Sequence, residues 1–444
     1  MQGLYIVALC DSKPFFGQSG GRRTGNLHGG GGLRYNRRMK TLIIAEIGTS
    51  HSGSKDKACQ LIDAAAQAGA DCVKFQWVYA DEILHPDTGA VDLPSGKMPL
   101  YDTFKVLECP PSFYRQCMEY AHQKGLLFAC SPFGSRSFDA LAALCPDAIK
   151  IASPELNHFA LLQKCAALHG KIPLILSSGV SKLADIEAAL EVIGASGATE
   201  TNATCVTERS NDEGDESAPE SPALPPLTLL HCVTSYPAPE EQSNVACVET
   251  LRGVFGVSTG MSDHSLSPTL VPTLAAMKRA AVIEKHITLN HEDGGLDDSV
   301  ALEPEHFALM VHVVHQTCAM MENFDDDERS LRVGFKRIAE KRVMQQLEDY
   351  FPRELIRAAL GDGVKRLAPV ERANWGKTNR SLHYMRAMKR GERVTAGDIA
   401  ALRSEKNLSA GVSPRFEGTL LGAVLTRDVS AGAGVQLEDF LQKG

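Results

Sequence analysis

The sequence lacks the features typical of proteins that cross membranes, bind nucleic acid or leave the cell. None of its apolar runs approaches the roughly 18 residues that a membrane span requires, so we expect a soluble protein. Its formal net charge is −8 over 444 residues, and nucleic-acid binding would instead require a basic face. Its 12 cysteines form no CxxC pair, and several lie in apolar runs. We therefore expect buried, reduced thiols and a cytoplasmic location.

The chain is long enough for one large domain and a smaller one, preceded by a segment without folding signals. Residues 15–40 are rich in glycine and arginine and contain no acidic residue. We predict that residues 1–40 form a disordered extension. A transit peptide and a working start at Met39 both remain open for this segment.

From residue 41 onward, short apolar or β-branched runs alternate with helical patterns. We count eight such runs, at 42–48, 72–76, 126–133, 148–153, 173–179, 228–237, 253–258 and 281–288. Near-continuous apolar strands need helices to cover them, so these units predict a (β/α)8 TIM barrel over residues 41–325. A doubly wound sheet is the alternative, but the first run leads into EIGTSHSGS and not into a GxGxxG phosphate loop.

The other segments differ from the barrel in composition. Residues 201–226 are polar and rich in Pro, Ser and Glu, which predicts a flexible insertion. We expect residues 326–375 to form a charged linker. Residues 376–444 contain short strand patterns separated by glycines. Within them RAMKRGERVTAGDI resembles RDVSAGAGVQLEDF, which predicts a small β domain with two-fold internal symmetry.

Polar residues lie near the end of every predicted strand. In a TIM barrel the active site forms at the carboxyl ends of the strands, so this convergence predicts a pocket for a small, multiply charged ligand. The candidates are Glu46, Lys74, Gln76, Ser131, Lys150, Ser153, Ser177, Thr234, Tyr236, Ser262, His264 and His286.

Two histidines and two lysines in this set indicate specific chemistry. His264 and His286 can bind one divalent ion as neutral imidazoles and leave positions open for substrate oxygens. Lys74 and Lys150, with serine hydroxyls nearby, suit a ligand that carries both a phosphate and a carboxylate. A Schiff-base lysine is the competing interpretation, although metal activation would make an imine unnecessary.

The predicted barrel resembles that of the sialic acid synthase family, which also makes legionaminic and pseudaminic acids. The motifs that carry this resemblance are, in order, IIAEIGTSHSG, AGADCVKFQ, FACSPF, IKIAS, ILSSG, LLHCVTSYPAP, GMSDHS and VIEKHIT. The C-terminal segment resembles the antifreeze-like SAF domain, a β-clip fold, that follows this barrel. The resemblance implies condensation of phosphoenolpyruvate with an N-acylamino-hexose such as N-acetylmannosamine, with Mn²⁺ or Mg²⁺ as cofactor and a domain-swapped homodimer as partner arrangement.

The resemblance also implies roles for individual residues. Phosphoenolpyruvate would be held by Lys74, Ser131, Lys150, Ser153, Ser177, Thr234 and Ser262, with Thr234 standing where the family usually has asparagine. The metal would be held by His264 and His286. The sugar would face Glu46, Gln76, Tyr236 and either Asp297 or Asp298, while Arg403 would reach its acyl group from the partner subunit. Glu46 is also the candidate for stabilising positive charge in the reaction.

Two other functions are compatible with parts of the sequence. A phosphoenolpyruvate-dependent synthase of the 3-deoxy-ulosonic acid phosphate type would share the barrel, but no SAF domain is expected at its end. A non-catalytic carbohydrate-binding protein would not need Glu46 together with the two lysines and two histidines. Phosphate release from phosphoenolpyruvate separates a synthase from a binding protein.

Overall fold

The computed structural model describes the chain in five segments, which are 41–93, 96–194, 224–322, 332–405 and 407–441. The predicted extension 1–40 lies outside the described residues, as do positions 201–223 of the predicted insertion. Within the described segments, no helix is long and apolar enough to cross a bilayer.

Eight parallel strands close into a barrel, which confirms the predicted fold class. The barrel strands are β1 (Leu42–Gly48), β2 (Cys72–Trp77), β5 (Leu127–Pro132), β6 (Ala148–Ile151), β7 (Leu174–Ser177), β8 (Leu227–Cys232), β9 (Ser258–Asp263) and β10 (Val282–His286). Outside the barrel, β3 (Ala90–Leu93) pairs with β4 (Gly96–Pro99), and β11 (Arg380–Tyr384) pairs with β12 (Ile399–Arg403). Around the barrel the order is β1, β10, β9, β8, β7, β6, β5 and β2. The barrel closes where β1 pairs with β10, with Glu46 opposite His286.

Helices surround the barrel, and their apolar faces form the largest core of the protein with the outer faces of the strands. In chain order the helices are α1 (Lys55–Gln67), α2 (Ala80–Ile83), α3 (Leu100–Lys105), α4 (Pro111–Gln123), α5 (Ser135–Ala142), α6 (Phe159–Ala166), α7 (Leu183–Ile193), α8 (Cys247–Phe255), α9 (Leu270–Met277), α10 (Pro304–Glu322), α11 (Arg332–Glu348), α12 (Arg353–Leu360) and α13 (Glu417–Leu420). The last of these, α13, packs in the separate core of the C-terminal domain. Helix α1 shows how local sequence sets an element. The Ser54 side chain accepts a hydrogen bond from Lys57 N–H and caps the first turn, while Leu61 and Ile62 are buried on one face.

The seventh barrel strand lies elsewhere than predicted. The predicted strand at 253–258 is wrong, because its residues through Phe255 belong to α8, which ends at Gly256 in the left-handed conformation. Strand β9 begins at Ser258. Its residues are mostly small and polar, and a Cβ on Gly260 would collide with the Val282 carbonyl oxygen of β10. Close approach of the neighbouring backbone explains the glycine at position 260, and the polar residues on either side of it explain why the apolar pattern is missing.

The inside of the barrel has an apolar layer and, further along the strands, a charged layer. Successive strand residues point to opposite faces, so Ile44 and Glu46 share the inner face of β1, and Cys72 and Lys74 that of β2. The apolar layer consists of Leu42, Ile44, Cys72, Ala129, Ala148, Ile175, Leu230 and Val282, all buried. Period-two alternation therefore places the charged side chains together at the carboxyl end of the barrel.

The C-terminal β domain has the two-fold symmetry that its repeat predicts. Met388 and Val429 occupy equivalent positions in the two repeats and form an antiparallel bridge. Each repeat also pairs its arginine with its aspartate, Arg386 Nε with Asp398 at 2.7 Å and Arg427 Nε with Asp439 at 2.7 Å.

Candidate active site

Four charged side chains meet inside the barrel at its carboxyl end. Lys74 Nζ lies 2.8 Å from Glu46 Oε2 and 3.7 Å from Glu284 Oε2. Lys150 Nζ lies 3.1 Å from Glu284 Oε1. All four residues are buried, and buried charges persist only when they are paired and hydrogen-bonded. The two ammonium groups are therefore held together by a shared carboxylate.

The pKa values in this cluster follow from burial and from the opposite charges. Burial would raise the pKa of Glu284, but Lys150 and Lys74 outweigh it and lower that pKa to about 2. Burial lowers the pKa of Lys150 in spite of Glu284. At Lys74 burial acts in the same direction, but Glu284 and Glu46 outweigh it and raise the pKa. Glu284 and Lys74 are thus firmly charged, and Lys150 holds its proton less tightly than an exposed lysine.

Several hydroxyl groups line the same space. Ser131 Oγ lies 3.5 Å from Lys74 Nζ, and Ser262 Oγ donates a hydrogen bond to Glu284 Oε1 at 2.9 Å. Ser177 Oγ and Thr234 Oγ1 are buried and make no hydrogen bond with any described residue. A buried hydroxyl without a partner costs free energy, so these two mark a place where a polar ligand would be stabilising.

The two predicted metal ligands lie side by side, with ring centroids 5.5 Å apart. His264 Nδ1 donates a hydrogen bond to the Val233 carbonyl oxygen at 2.9 Å, so Nε2 carries a lone pair when the ring is neutral. Burial would lower the pKa of His264, but the neighbouring Cys232 outweighs it and raises that pKa to about 9, so metal binding at Nε2 would displace a proton. His286 Nδ1 is buried without a hydrogen bond, and burial lowers the pKa of this imidazole well below its usual value. His264 Nε2 and His286 Nδ1 are the nitrogen atoms that would bind a divalent cation. In the described segments, no group of three or more His, Cys, Asp or Glu side chains is arranged to hold a metal.

The structure separates the two candidate aspartates. Asp298 is fully buried and accepts a hydrogen bond from Gly295 N–H at 2.8 Å within its own turn. Asp297 Oδ2 instead lies 3.9 Å from His286 Nδ1. Burial, together with the charge of Glu46, raises the pKa of Asp297 to about 6. Asp297 is therefore the aspartate that adjoins the histidines.

The remaining predicted sugar-facing residues surround the histidines. Gln76 Nε2 donates a hydrogen bond to Glu46 Oε1 at 2.8 Å. The Tyr236 ring lies 4.3 Å from the His264 ring, centroid to centroid, and is 48% exposed. This tyrosine thus forms the solvent-facing edge of the pocket.

Within the single chain, Arg403 contacts residues outside this cluster. Its Nη2 lies 2.7 Å from Glu155 Oε1, and its guanidinium lies 5.5 Å from the centre of the Phe133 ring. The reach of Arg403 into a partner subunit stays a prediction.

The sequence indicates Glu284 only as a residue that flanks the two histidines, whereas its carboxylate lies beside the two lysines. The signal for it was present, because Val282, Glu284 and His286 alternate on β10 and therefore share the inner face.

Known proteins resemble this chain over most of its length. Residues 61–326 match the NeuB family and residues 379–441 match the SAF domain. The chain is 31% identical over 404 residues to the spore coat polysaccharide biosynthesis protein SpsE of Bacillus subtilis, a match that covers 90% of this chain and 94% of that protein. It is 28% identical over 398 residues to the N,N'-diacetyllegionaminic acid synthase of Legionella pneumophila, covering 89% and 93% respectively. The crystal structure of SpsE aligns with a TM-score of 0.69 at 29% identity and covers 91% of this chain and 96% of its own.

Proposed function

Because the chain belongs to the NeuB family, we propose that it condenses phosphoenolpyruvate with an N-acylamino-hexose to form a nonulosonic acid, with release of phosphate. One relative over most of the chain is named a diacetyllegionaminic acid synthase, which supports this reaction class. The observation that carries the proposal is the pair of buried lysines, Lys74 and Lys150, beside the unpaired hydroxyls of Ser177 and Thr234.

Phosphoenolpyruvate carries a phosphate and a carboxylate, and this cluster offers donors for both. The ammonium groups of Lys74 and Lys150 supply charge-assisted hydrogen bonds. The hydroxyls of Ser177 and Thr234 have no protein acceptor or donor to give up when a ligand enters. The ligand's negative charges, together with Glu284, would then compensate the positive charges of the two lysines.

His264 and His286 fit a divalent cation such as Mn²⁺ or Mg²⁺, because both rings are buried and adjacent and each has a nitrogen that makes no protein hydrogen bond. Such an ion would supply Lewis-acid polarisation of the sugar aldehyde. We further propose that Arg403 acts across a domain-swapped homodimer, as the resemblance to sialic acid synthases implies.

Glu46 would stabilise positive charge during the reaction. C3 of phosphoenolpyruvate forms a bond to the aldehyde carbon, the aldehyde oxygen gains a proton, and positive charge develops at C2. The Glu46 carboxylate, held by Lys74 and Gln76, is fixed before the charge appears, which is the condition for electrostatic stabilisation. Water then adds at C2 and loses a proton, which balances the proton gained by the aldehyde oxygen. The C2–O bond to phosphate breaks as the new C2 hydroxyl becomes the carbonyl, and its proton leaves with the phosphate.

The test is phosphate release from phosphoenolpyruvate with Mn²⁺ across N-acetylmannosamine, its 6-phosphate and the diacetamido-hexoses. We expect release with one of these sugars, and loss of release on chelation and in His264→Ala. The matched control is His122→Ala, because His122 pairs with Asp147 on the outer surface. No release with any sugar, in folded protein that binds Mn²⁺, would contradict the proposal and favour a carbohydrate-binding protein. Release with phosphorylated aldoses that lack an acylamino group would favour the 3-deoxy-ulosonic acid type.

A further inference from the structure

The linker between the barrel and the SAF domain binds the backbone of two loops at the candidate site. Glu371 Oε1 accepts hydrogen bonds from Val180 N–H at 2.7 Å and from Thr234 N–H at 2.9 Å. Lys365 Nζ donates to the Ser178 carbonyl oxygen at 2.7 Å. Glu371 and Lys365 are both buried, so the linker is packed against the loops that follow β7 and β8.

The loop after β7 holds a strained backbone conformation at Val180. Its φ is +44°, in the left-handed region that β-branched residues rarely adopt. Such strain persists only where the surroundings fix it. Here two residues do so, since Glu371 of the linker accepts from Val180 N–H and Asn379, at the start of the SAF domain, donates from Nδ2 to the Val180 carbonyl oxygen at 3.1 Å. The linker and the start of the SAF domain thus hold this residue by both of its backbone polar groups.

This conformation determines where ligand-binding atoms lie. The loop begins at Ser177, whose hydroxyl is unpaired. At Gly179, N–H donates to Ser153 Oγ at 3.0 Å, and an added Cβ would collide with Thr234 Oγ1. The packing around Gly179 couples the three hydroxyls, so a shift of the loop would displace them relative to one another.

Glu371 is itself rigidly placed. Its Oε2 accepts a hydrogen bond from Ala368 N–H at 2.9 Å, so one carboxylate serves three backbone donors. A glutamine would keep one acceptor oxygen but would turn an N–H₂ group toward one of these N–H donors.

We propose that Glu371 is a positioning residue for the phosphoenolpyruvate-binding end of the pocket, acting through Val180 and Thr234, so that the interdomain linker is part of the active site. This inference rests on the proposed function.

The experiment compares full-length Glu371→Gln and Asn379→Ala with the wild type. The matched control is Gln242→Ala, because Gln242 accepts a hydrogen bond from the N–H of the neighbouring linker residue Val370 at 3.0 Å, lies outside the 231–236 peptide, and is not the partner of Val180 or Thr234. The measurements are hydrogen exchange in peptides that span 177–182 and 231–236, calorimetric binding of phosphoenolpyruvate alone, and steady-state kinetics.

We expect faster exchange in the 177–182 peptides of both variants and in the 231–236 peptides of Glu371→Gln. In Glu371→Gln the Kd and KM for phosphoenolpyruvate should rise roughly tenfold, as expected for loss of hydrogen bonds to a charged acceptor. KM for the sugar should rise less than KM for phosphoenolpyruvate, because Tyr236 is the sugar-facing residue in a loosened loop, whereas Glu46, Gln76 and Asp297 lie outside both loops. Gln242→Ala should match the wild type in all three measurements.

Unchanged exchange in the Glu371→Gln loops would overturn the inference, as would faster exchange without a change in phosphoenolpyruvate affinity. Equal losses of exchange protection and of phosphoenolpyruvate affinity in Gln242→Ala would show that Glu371 contributes only to overall stability. If Glu371→Gln does not fold, Asn379→Ala tests the part of the inference that concerns Val180, and unchanged exchange over 177–182 or an unchanged Kd for phosphoenolpyruvate in that variant would overturn it. A wild type that binds phosphoenolpyruvate but yields no product would refute the proposed synthase while the comparison of Kd values still stands, and a wild type that does not bind it would refute both.

Discussion

At the scale of single residues, the pocket depends on charges that compensate one another. Glu284 touches Lys150 and Ser262 and lies near Lys74. Removing one member of such a buried set leaves the others without compensation, which costs more than the net gain from the complete set. A single substitution in this cluster should therefore destabilise the protein by more than the complete cluster stabilises it.

Glu284→Gln should lower the free energy of unfolding at neutral pH by about 3–5 kcal/mol, measured by denaturant titration. The folded-state pKa of Glu284, about 2, lies below its ordinary value of 4.5. The wild type should therefore lose this contribution as pH falls from 4.5 toward 2, and the variant should lack that part of the pH dependence. Glu348→Gln, at an ion pair with Arg353 near the surface, is the control. Equal stability of Glu284→Gln and wild type over this range would contradict the conclusion that a charged Glu284 compensates the two buried lysines.

At the scale of elements, the loop after β7 is shaped by the absence of a side chain at Gly179. Ser153 Oγ would lie 2.8 Å from an added Cβ, and Thr234 Oγ1 would lie closer still. By contrast, Gly253 lies within α8, and an added Cβ there meets no heavy atom within 4 Å. The two glycines thus differ in the space around them.

Gly179→Ala should lower the free energy of unfolding by about 1–3 kcal/mol through overpacking and should weaken phosphoenolpyruvate binding. Gly253→Ala should raise the free energy of unfolding by about 0.5–1 kcal/mol, because alanine favours a helix interior. Denaturant titration and calorimetric binding check both. A Gly179→Ala protein that binds phosphoenolpyruvate as tightly as wild type would show that the loop does not line the ligand site.

The sequence predicts elements well where one periodicity dominates. The apolar runs located seven barrel strands, and polar residues at the ends of those strands indicated which side chains meet in the pocket. It failed at β9, where small residues replace the apolar pattern. The sequence also could not distinguish Asp297 from Asp298, because the conformation of the turn decides which of the two side chains points toward the histidines. The contact of Glu371 with Val180 joins residues far apart in the sequence, and no local pattern encodes it.

At the scale of the whole molecule, Arg380 joins the SAF domain to the barrel. Its guanidinium pairs with Glu155, and both side chains are fully buried. It also donates to the carbonyl oxygens of Phe133 at 2.8 Å and Glu82 at 2.6 Å. Asn157 exchanges two hydrogen bonds with the Arg380 backbone. One side chain therefore connects β11 to the segments that follow β2, β5 and β6.

Arg380→Met should separate the unfolding of the two domains. It leaves Glu155 with only Arg403 as a cationic partner, so we expect a loss of about 3–5 kcal/mol and a second, lower-temperature transition in differential scanning calorimetry. Lys389→Met removes an exposed ion pair with Asp428 inside the SAF domain and should leave a single transition. A single unshifted transition for Arg380→Met would show that the domains are not coupled through this residue.

The pairing of β1 with β10 has a consequence for the order in which the protein is made. The strand that bears Glu46 leaves the ribosome early, but its partner emerges only when His286 has been translated. Until then β1 has one unpaired edge, and such edges are prone to aggregation. The loop after β7 is completed later still, since Val180 gains its second hydrogen-bonding partner only with Asn379. The nascent chain therefore carries an incomplete pocket through most of its synthesis, until the linker and the start of the SAF domain have been made.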